Sequence, residues 1–163
     1  MNISIIGTGY VGLTLSALTA RVGHKTYCID VVPEKIETIK SGKSYFYELG
    51  LDNLVKKGID SGNLIPTLDY EEGLKDADVI FLSVGTPSGA NGGFDLTYIF
   101  DAVEKAAKYI KDGAIFVQRS TVPVGTGQRA ISIIKATNPD VKFTYLSSPE
   151  FLREGAAVID SVI

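Results

Sequence analysis

The first thirty residues limit this chain more than any other stretch. Ile3-Ser4-Ile5-Ile6 reads as a short β-branched strand that runs directly into Gly7-Thr8-Gly9-Tyr10-Val11-Gly12. An apolar run continues to Ala20, and a second strand, Thr26-Tyr27-Cys28-Ile29, ends on Asp30. Strand, G-x-G-x-x-G turn, helix, strand and terminal acid are the opening of a dinucleotide-binding βαβ unit. Each part has a physical task. Gly7 permits a tight turn off the strand, Gly9 has no Cβ to hold a pyrophosphate off the backbone, and Gly12 lets the helix lie close to the sheet. The helix begins with free N–H groups and the positive end of its dipole facing the phosphates. Asp30, eighteen residues after Gly12, stands where a carboxylate accepts hydrogen bonds from both ribose hydroxyls.

The glycine pattern alone is weak, and an ordinary βα turn that binds nothing is the plain alternative. The strand before it, the helix after it and the acid that answers it carry the reading. The expected cofactor is NAD rather than NADP, because Asp30 repels a 2′-phosphate and Val31-Val32 offer no arginine to receive one.

A chain of 163 residues is one domain, long enough to bury about 70% of its unfolded surface. Sixteen basic residues against nineteen acidic ones, with no basic cluster, argue against nucleic acid. No apolar run reaches the roughly 18 residues of a membrane span. The amino terminus lacks a basic flank and is broken by glycines, unlike a signal peptide. Cys28, the only cysteine, excludes an internal disulfide and fits a reducing cytoplasm. It falls within a predicted strand and reads as inert core. His24 sits in the Gly23-His24-Lys25 turn, a surface position. No metal site is expected.

Strand-like and helix-like segments alternate along the chain, which predicts a Rossmann-type α/β fold: a doubly wound, mostly parallel six-stranded sheet of order 3-2-1-4-5-6. Strands are expected at 2–6, 26–30, 65–68, 78–84, 114–118 and 142–146. Helices are expected at 10–22, from Pro33 with Ile36 and Ile39 inward, from an Asp52 cap with Leu54, Val55 and Ile59 on one side, after an Asp69/Glu72 capping box, at 97–111 and at 126–137. The glycine- and proline-rich loop from Gly85 to Gly93 has the length of a functional loop.

Three later stretches leave the carboxyl ends of strands, the edge where open α/β sheets bind ligands. They are Val84-Gly85-Thr86-Pro87-Ser88, Arg119-Ser120-Thr121-Val122-Pro123-Val124-Gly125-Thr126, and Ser148-Pro149-Glu150-Phe151-Leu152-Arg153-Glu154-Gly155. Each alone could be a plain turn. Together with Gly7–Gly12, they bring polar groups to one edge.

With these motifs in family order over nearly the whole chain, the sequence resembles the UDP-glucose/GDP-mannose dehydrogenase family, nearest to its members that oxidise UDP-glucose. The resemblance implies oxidation of a nucleotide-sugar 6-hydroxyl to a carboxylate with two NAD, through a thioester on a cysteine. It implies that Asp30 and Lys35 hold the adenosine ribose. Val84-Gly85-Thr86-Pro87 and Ser120-Thr121 would line the cofactor channel, with Thr121 also positioning a catalytic water. Glu150 would be the general acid/base, and Glu154 would contact the nicotinamide side. Glu150, Phe151, Leu152, Arg153 and Glu154 would touch the UDP-sugar. Plainer roles remain for several of these: Glu150 and Glu154 charging the first turn of a helix after Gly155, and Lys35 as a solvated charge.

Two departures stand out. The family's proline-flanked Tyr-Glu-Pro-Gly-Leu loop is represented by Tyr45-Phe46-Tyr47-Glu48-Leu49-Gly50-Leu51, with both prolines absent and less rigidity expected. The family's cysteine nucleophile, catalytic lysine and asparagine, central helix and UDP-binding domain have no counterpart in this sequence. The expectation is therefore an amino-terminal NAD-binding part, inactive alone, with a homodimer expected only for a full-length protein.

Overall fold

The computed structural model describes residues 1–89 and 92–161. Six parallel strands form one sheet: β1 (Asn2–Ile6), β2 (Lys25–Ile29), β3 (Leu64–Thr67), β4 (Val79–Leu82), β5 (Ile115–Gln118) and β6 (Thr144–Ser147). Their order is β3-β2-β1-β4-β5-β6, as the alternation predicts, with the reversal between β1 and β4. The helices are α1 (Tyr10–Arg21), α2 (Pro33–Lys40), α3 (Leu51–Asp60), α4 (Tyr70–Leu74), α5 (Thr97–Ala107), α6 (Thr126–Thr137) and α7 (Ala157–Asp160). They cover both faces and give two apolar layers. One joins Leu13, Ala17, Cys28, Ile39, Leu51 and Val55. The other surrounds Phe116, Ile80, Leu82, Ile99, Val103 and Ile134. Burial on both faces explains why β4 is a continuous apolar run, and in β1 the one buried polar side chain, Ser4, donates its hydroxyl to the Gly73 carbonyl.

Several expectations are corrected in detail. Asp52 does not cap α3. The cap is Gly50, held at φ 84°, and the Asp52 carboxylate instead accepts the Ser44 N–H at 2.8 Å and its hydroxyl at 2.6 Å. Asp69 does cap α4, accepting from the N–H groups of Glu71 and Glu72. Glu72 does not return to Asp69, because Thr67 intervenes: its hydroxyl donates to Glu72 and accepts from the Asp69 N–H. The expected helix at 97–111 ends at Ala107, and the strand at 142–146 is displaced to Thr144–Ser147. In the Gly85–Gly93 loop, Gly89 donates to the Gly93 carbonyl and Asp95 to that of Pro87, so its flanks fold back on each other. Positions 90 and 91 lie outside the described residues.

The two sheet edges differ. β3 carries Pro66 and is mostly buried, whereas β6 is exposed at Thr144, Leu146 and Ser147.

Candidate functional site

The carboxyl ends of β1, β2, β4, β5 and β6 open on one side of the sheet, and the glycine turn sits at the β1/β4 switch point. Gly7 has φ +93°, and a Cβ there would meet the Ser83 carbonyl oxygen at 2.6 Å. A Cβ on Gly12 would lie 1.8 Å from the Gly7 carbonyl oxygen and 3.3 Å from Ile5 Cγ2, so the helix start is locked against the strand by the absence of side chains. At Gly9 a Cβ would meet nothing within 4 Å. The open space there is the approach to α1, whose amino end has no side-chain cap and no acidic residue in its first turn. These residues fit a diphosphate: free N–H groups, a positive dipole end and an unobstructed backbone.

Two contiguous clefts flank this turn and share Gly9, Ser83, Val84 and Gly85. The larger, about 500 Å³, is lined by Asp30, Lys35, Tyr70, Pro87, Tyr98 and Lys105. The smaller, about 240 Å³, is lined by Tyr10, Thr86, Arg119, Ser120, Thr121 and Glu150. The arrangement sets one cleft on each side of the glycine turn.

Asp30 is 8% exposed and is held from several sides. Its Oδ2 accepts the Thr8 N–H at 2.9 Å and the Thr8 hydroxyl at 2.6 Å, and its Oδ1 accepts the N–H groups of Val31 and Val32 at 2.8 and 3.1 Å. Lys35 Nζ stands 3.7 Å from Oδ2 and 5.1 Å from the centre of the Tyr45 ring. Burial would raise the Asp30 pKa, but the Thr8 hydroxyl and N–H, the Lys35 ammonium and the Val32 N–H outweigh it and hold the group below the usual carboxylate range. Both carboxylate oxygens thus carry two donors each from the chain itself.

At the smaller cleft, the Ser120 hydroxyl donates to the Val84 carbonyl at 2.6 Å, and the Thr86 hydroxyl donates to the Thr121 carbonyl at 3.1 Å. These bonds tie the loops after β4 and β5 together. Arg119 Nη1 donates to the carbonyl and hydroxyl of Ser148 at 3.0 and 3.2 Å, which brings the segment after β6 alongside them. Glu150 faces the small cleft and accepts the Leu152 N–H.

The remaining residues of that motif are not gathered into the clefts. Phe151 is 92% exposed, Arg153 pairs in two places with Asp160, and Glu154 is exposed. Neither Glu150 nor Glu154 caps α7, whose cap position is Ala156. Cys28 is fully buried in β2, and burial pushes its thiol up to about 12.

Sequence reasoning named Arg119 and Glu48 only as members of longer stretches, with no individual role, and it missed the α5 contribution to the larger cleft. Tyr98, Asp101, Ala102 and Lys105 line that cleft at helical spacing, a stripe legible opposite the apolar face of α5.

An open parallel sheet with a glycine turn at its switch point and an acid ending the second strand is a dinucleotide-binding domain of the Rossmann class. Comparison with known proteins narrows the class. The profile of the UDP-glucose/GDP-mannose dehydrogenase family, NAD binding domain, matches residues 1–163, and the chain belongs to that family as its NAD-binding domain. It is 41% identical over 162 residues to the UDP-glucose 6-dehydrogenase YwqF of Bacillus subtilis, covering 99% of this chain and 37% of that protein. It is 43% identical over 161 residues to the UDP-glucose 6-dehydrogenase of Rhizobium meliloti, covering 98% of this chain and 37% of that protein. Among solved structures, a ternary complex of GDP-mannose dehydrogenase from Pseudomonas aeruginosa superposes with a TM-score of 0.95 at 37% identity, over 99% of this chain and 38% of that one. The UDP-D-ManNAc dehydrogenase of Pyrococcus horikoshii gives 0.93 at 27%, over 100% and 39%. The chain thus spans little more than a third of the length of these relatives. No helix among the described residues is long and apolar enough to cross a membrane.

Proposed function

We propose that this domain is the cofactor half of a nucleotide-sugar dehydrogenase that oxidises the 6-hydroxyl of UDP-glucose to the carboxylate with two NAD. The observation that carries the reading is the small cleft, in which Glu150, Thr121 and Arg119 meet Tyr10 beside the phosphate turn. A domain that only sensed NAD would have no use for an acid at that end.

NAD, when bound, supplies the hydride acceptor. The chain's own residues do the rest. The amino end of α1 and Gly9 receive the diphosphate, and Asp30 with Lys35 holds the adenosine ribose. Val84, Gly85, Thr86, Pro87 and Ser120 shape the channel. The Glu150 carboxylate takes the proton from the substrate hydroxyl, a role that needs an acceptor within hydrogen-bond reach of that group. Thr121 positions the water required for hydrolysis. The segment Glu150 to Glu154 meets the nucleotide sugar, with Phe151 and Arg153 in the exposed positions from which a ligand would recruit them. The nucleophilic thiol must come from elsewhere, because Cys28 is sealed inside the sheet. The 163-residue chain therefore binds NAD without turnover. A cytoplasmic location suits both the cofactor and a lone reduced cysteine, and dimerisation belongs to a longer polypeptide.

The near-identical fold of the GDP-mannose and UDP-D-ManNAc enzymes favours a second reading, in which the sugar nucleotide is one of those. Titrating the chain with NAD and NADP by calorimetry tests the cofactor half, and no binding of NAD would sink it. Assaying NADH formation by a full-length protein that carries this domain, with UDP-glucose, GDP-mannose and UDP-N-acetylmannosamine, tests the rest. Turnover of the second or third sugar alone would replace the first reading.

A further inference from the structure

Glu48 is 5% exposed. A carboxylate in that position is costly unless several hydrogen bonds replace its hydration, and the donors that replace it come from distant parts of the chain. The Tyr10 hydroxyl donates to its Oε2. The Gly155 N–H donates to the same oxygen at 2.8 Å and to Tyr10 Oη at 2.6 Å, and the Val158 N–H donates to Oε1 at 3.3 Å. Tyr10 opens α1 at the phosphate turn, and Gly155 closes the segment that carries Glu150. Burial and the facing Glu48 carboxylate raise the Tyr10 pKa, so the phenol keeps its proton and remains a donor.

The other end of the same loop reaches the adenosine side. The Tyr45 hydroxyl donates to the Thr8 carbonyl at 2.6 Å, and the Tyr45 ring lies beneath Lys35. Phe46 packs between the rings of Tyr10 and Tyr45, with both centroid separations 5.1 Å. These contacts anchor the loop in place of the two missing prolines. They also make it a strap that touches both ends of the cofactor cleft.

We infer that Glu48 is a positioning residue: its buried carboxylate holds the Pro149–Gly155 segment against the first turn of α1 and so places the acid-bearing segment at the reacting end of the cofactor cleft. This rests on the reading that Glu150 faces the nicotinamide.

The test is Glu48→Gln in the 163-residue chain. The amide keeps the shape but sets its NH2 against backbone donors. Two quantities are measured: hydrogen exchange at the Gly155 and Val158 amides by NMR, and the ratio of ADP-ribose to NAD dissociation constants by calorimetry. We expect protection at both amides to fall at least tenfold. We also expect ADP-ribose affinity to stay within twofold while the preference for NAD shrinks about fivefold. A generally weakened fold would lower both affinities together and leave the ratio unmoved. Unchanged protection, or lost protection with the ratio intact, would overturn the inference. If wild type binds NAD and ADP-ribose equally, the reading of Glu150 fails instead, and amide protection alone decides the role of Glu48. Should Glu48→Gln not fold, Tyr10→Phe removes one donor while keeping the ring against Phe46. It must then show the same changes at smaller size, and no change there would equally overturn the inference.

Discussion

Two glycines of one turn should fail in opposite ways when given a methyl group. In Gly12→Ala the new Cβ would sit 1.8 Å from the Gly7 carbonyl oxygen, with the Gly7 carbonyl carbon at 3.0 Å. Non-bonded heavy atoms pack at about 3.5 Å, so about 1.7 Å of displacement is needed. The obstacle is backbone, and no side chain can rotate to relieve it. Overpacking costs about 1–3 kcal/mol where side chains yield, and this site belongs at the upper end. At about 2–4 °C per kcal/mol for a chain of this size, Tm should fall by about 6–12 °C. Gly9→Ala enters open space at φ −57°, which any residue adopts. Its stability cost as a poorer helix cap should stay below about 1 kcal/mol. The same methyl stands where the diphosphate approaches, so NAD affinity should drop by about tenfold or more, about 1.4 kcal/mol. Differential scanning fluorimetry and calorimetric titration on both variants separate the two effects. A stable Gly12→Ala, or a Gly9→Ala that binds NAD normally, would refute the assignment of steric roles within the turn.

Other outcomes follow from the same geometry. NAD should bind at least about tenfold more tightly than NADP by calorimetry, since Asp30 opposes a 2′-phosphate; equal affinities would contradict that role. Asp30→Asn sets an amide against chain donors and should cost about 1–3 kcal/mol in urea unfolding along with NAD affinity. Because the folded pKa of Asp30 lies below its unfolded value, its stabilisation is full above about pH 4 and lost as pH falls through the folded value. The Tm–pH curve of Asp30→Asn should therefore be flatter on its acid limb, and parallel curves would argue against it. Cys28 should resist a thiol reagent at pH 8 until the chain unfolds, and rapid labelling of the folded protein would show the strand to be accessible.

The sheet order was legible because each strand is an apolar run closed by a turn signal, and alternation with helices leaves few topologies. The phosphate turn was legible because its signal is local. Asp52 was misread for a local reason too. An acid at a helix start resembles a cap, yet Gly50 in the left-handed region already ends the loop and frees the carboxylate for Ser44. Glu48 escaped because its donors lie 38, 107 and 110 residues away, beyond any pattern window. One hint was present: a single acid inside the apolar stretch from Tyr45 to Leu51, where burial needs partners from elsewhere. Arg119 was hidden for the same reason, since its acceptors sit at the far end of β6.

The sheet's margins carry a last consequence. Pro66 offers no N–H to a newcomer, and the β3 strand is itself mostly buried. The β6 margin has no proline, charge or bulge to turn away an incoming strand, and it shows Leu146 to solvent. Growth of the sheet is thus polar, permitted at one margin only. At high concentration self-association should begin there, and Leu146→Lys should suppress it in light scattering while leaving the larger cleft around Asp30 and Lys35 untouched.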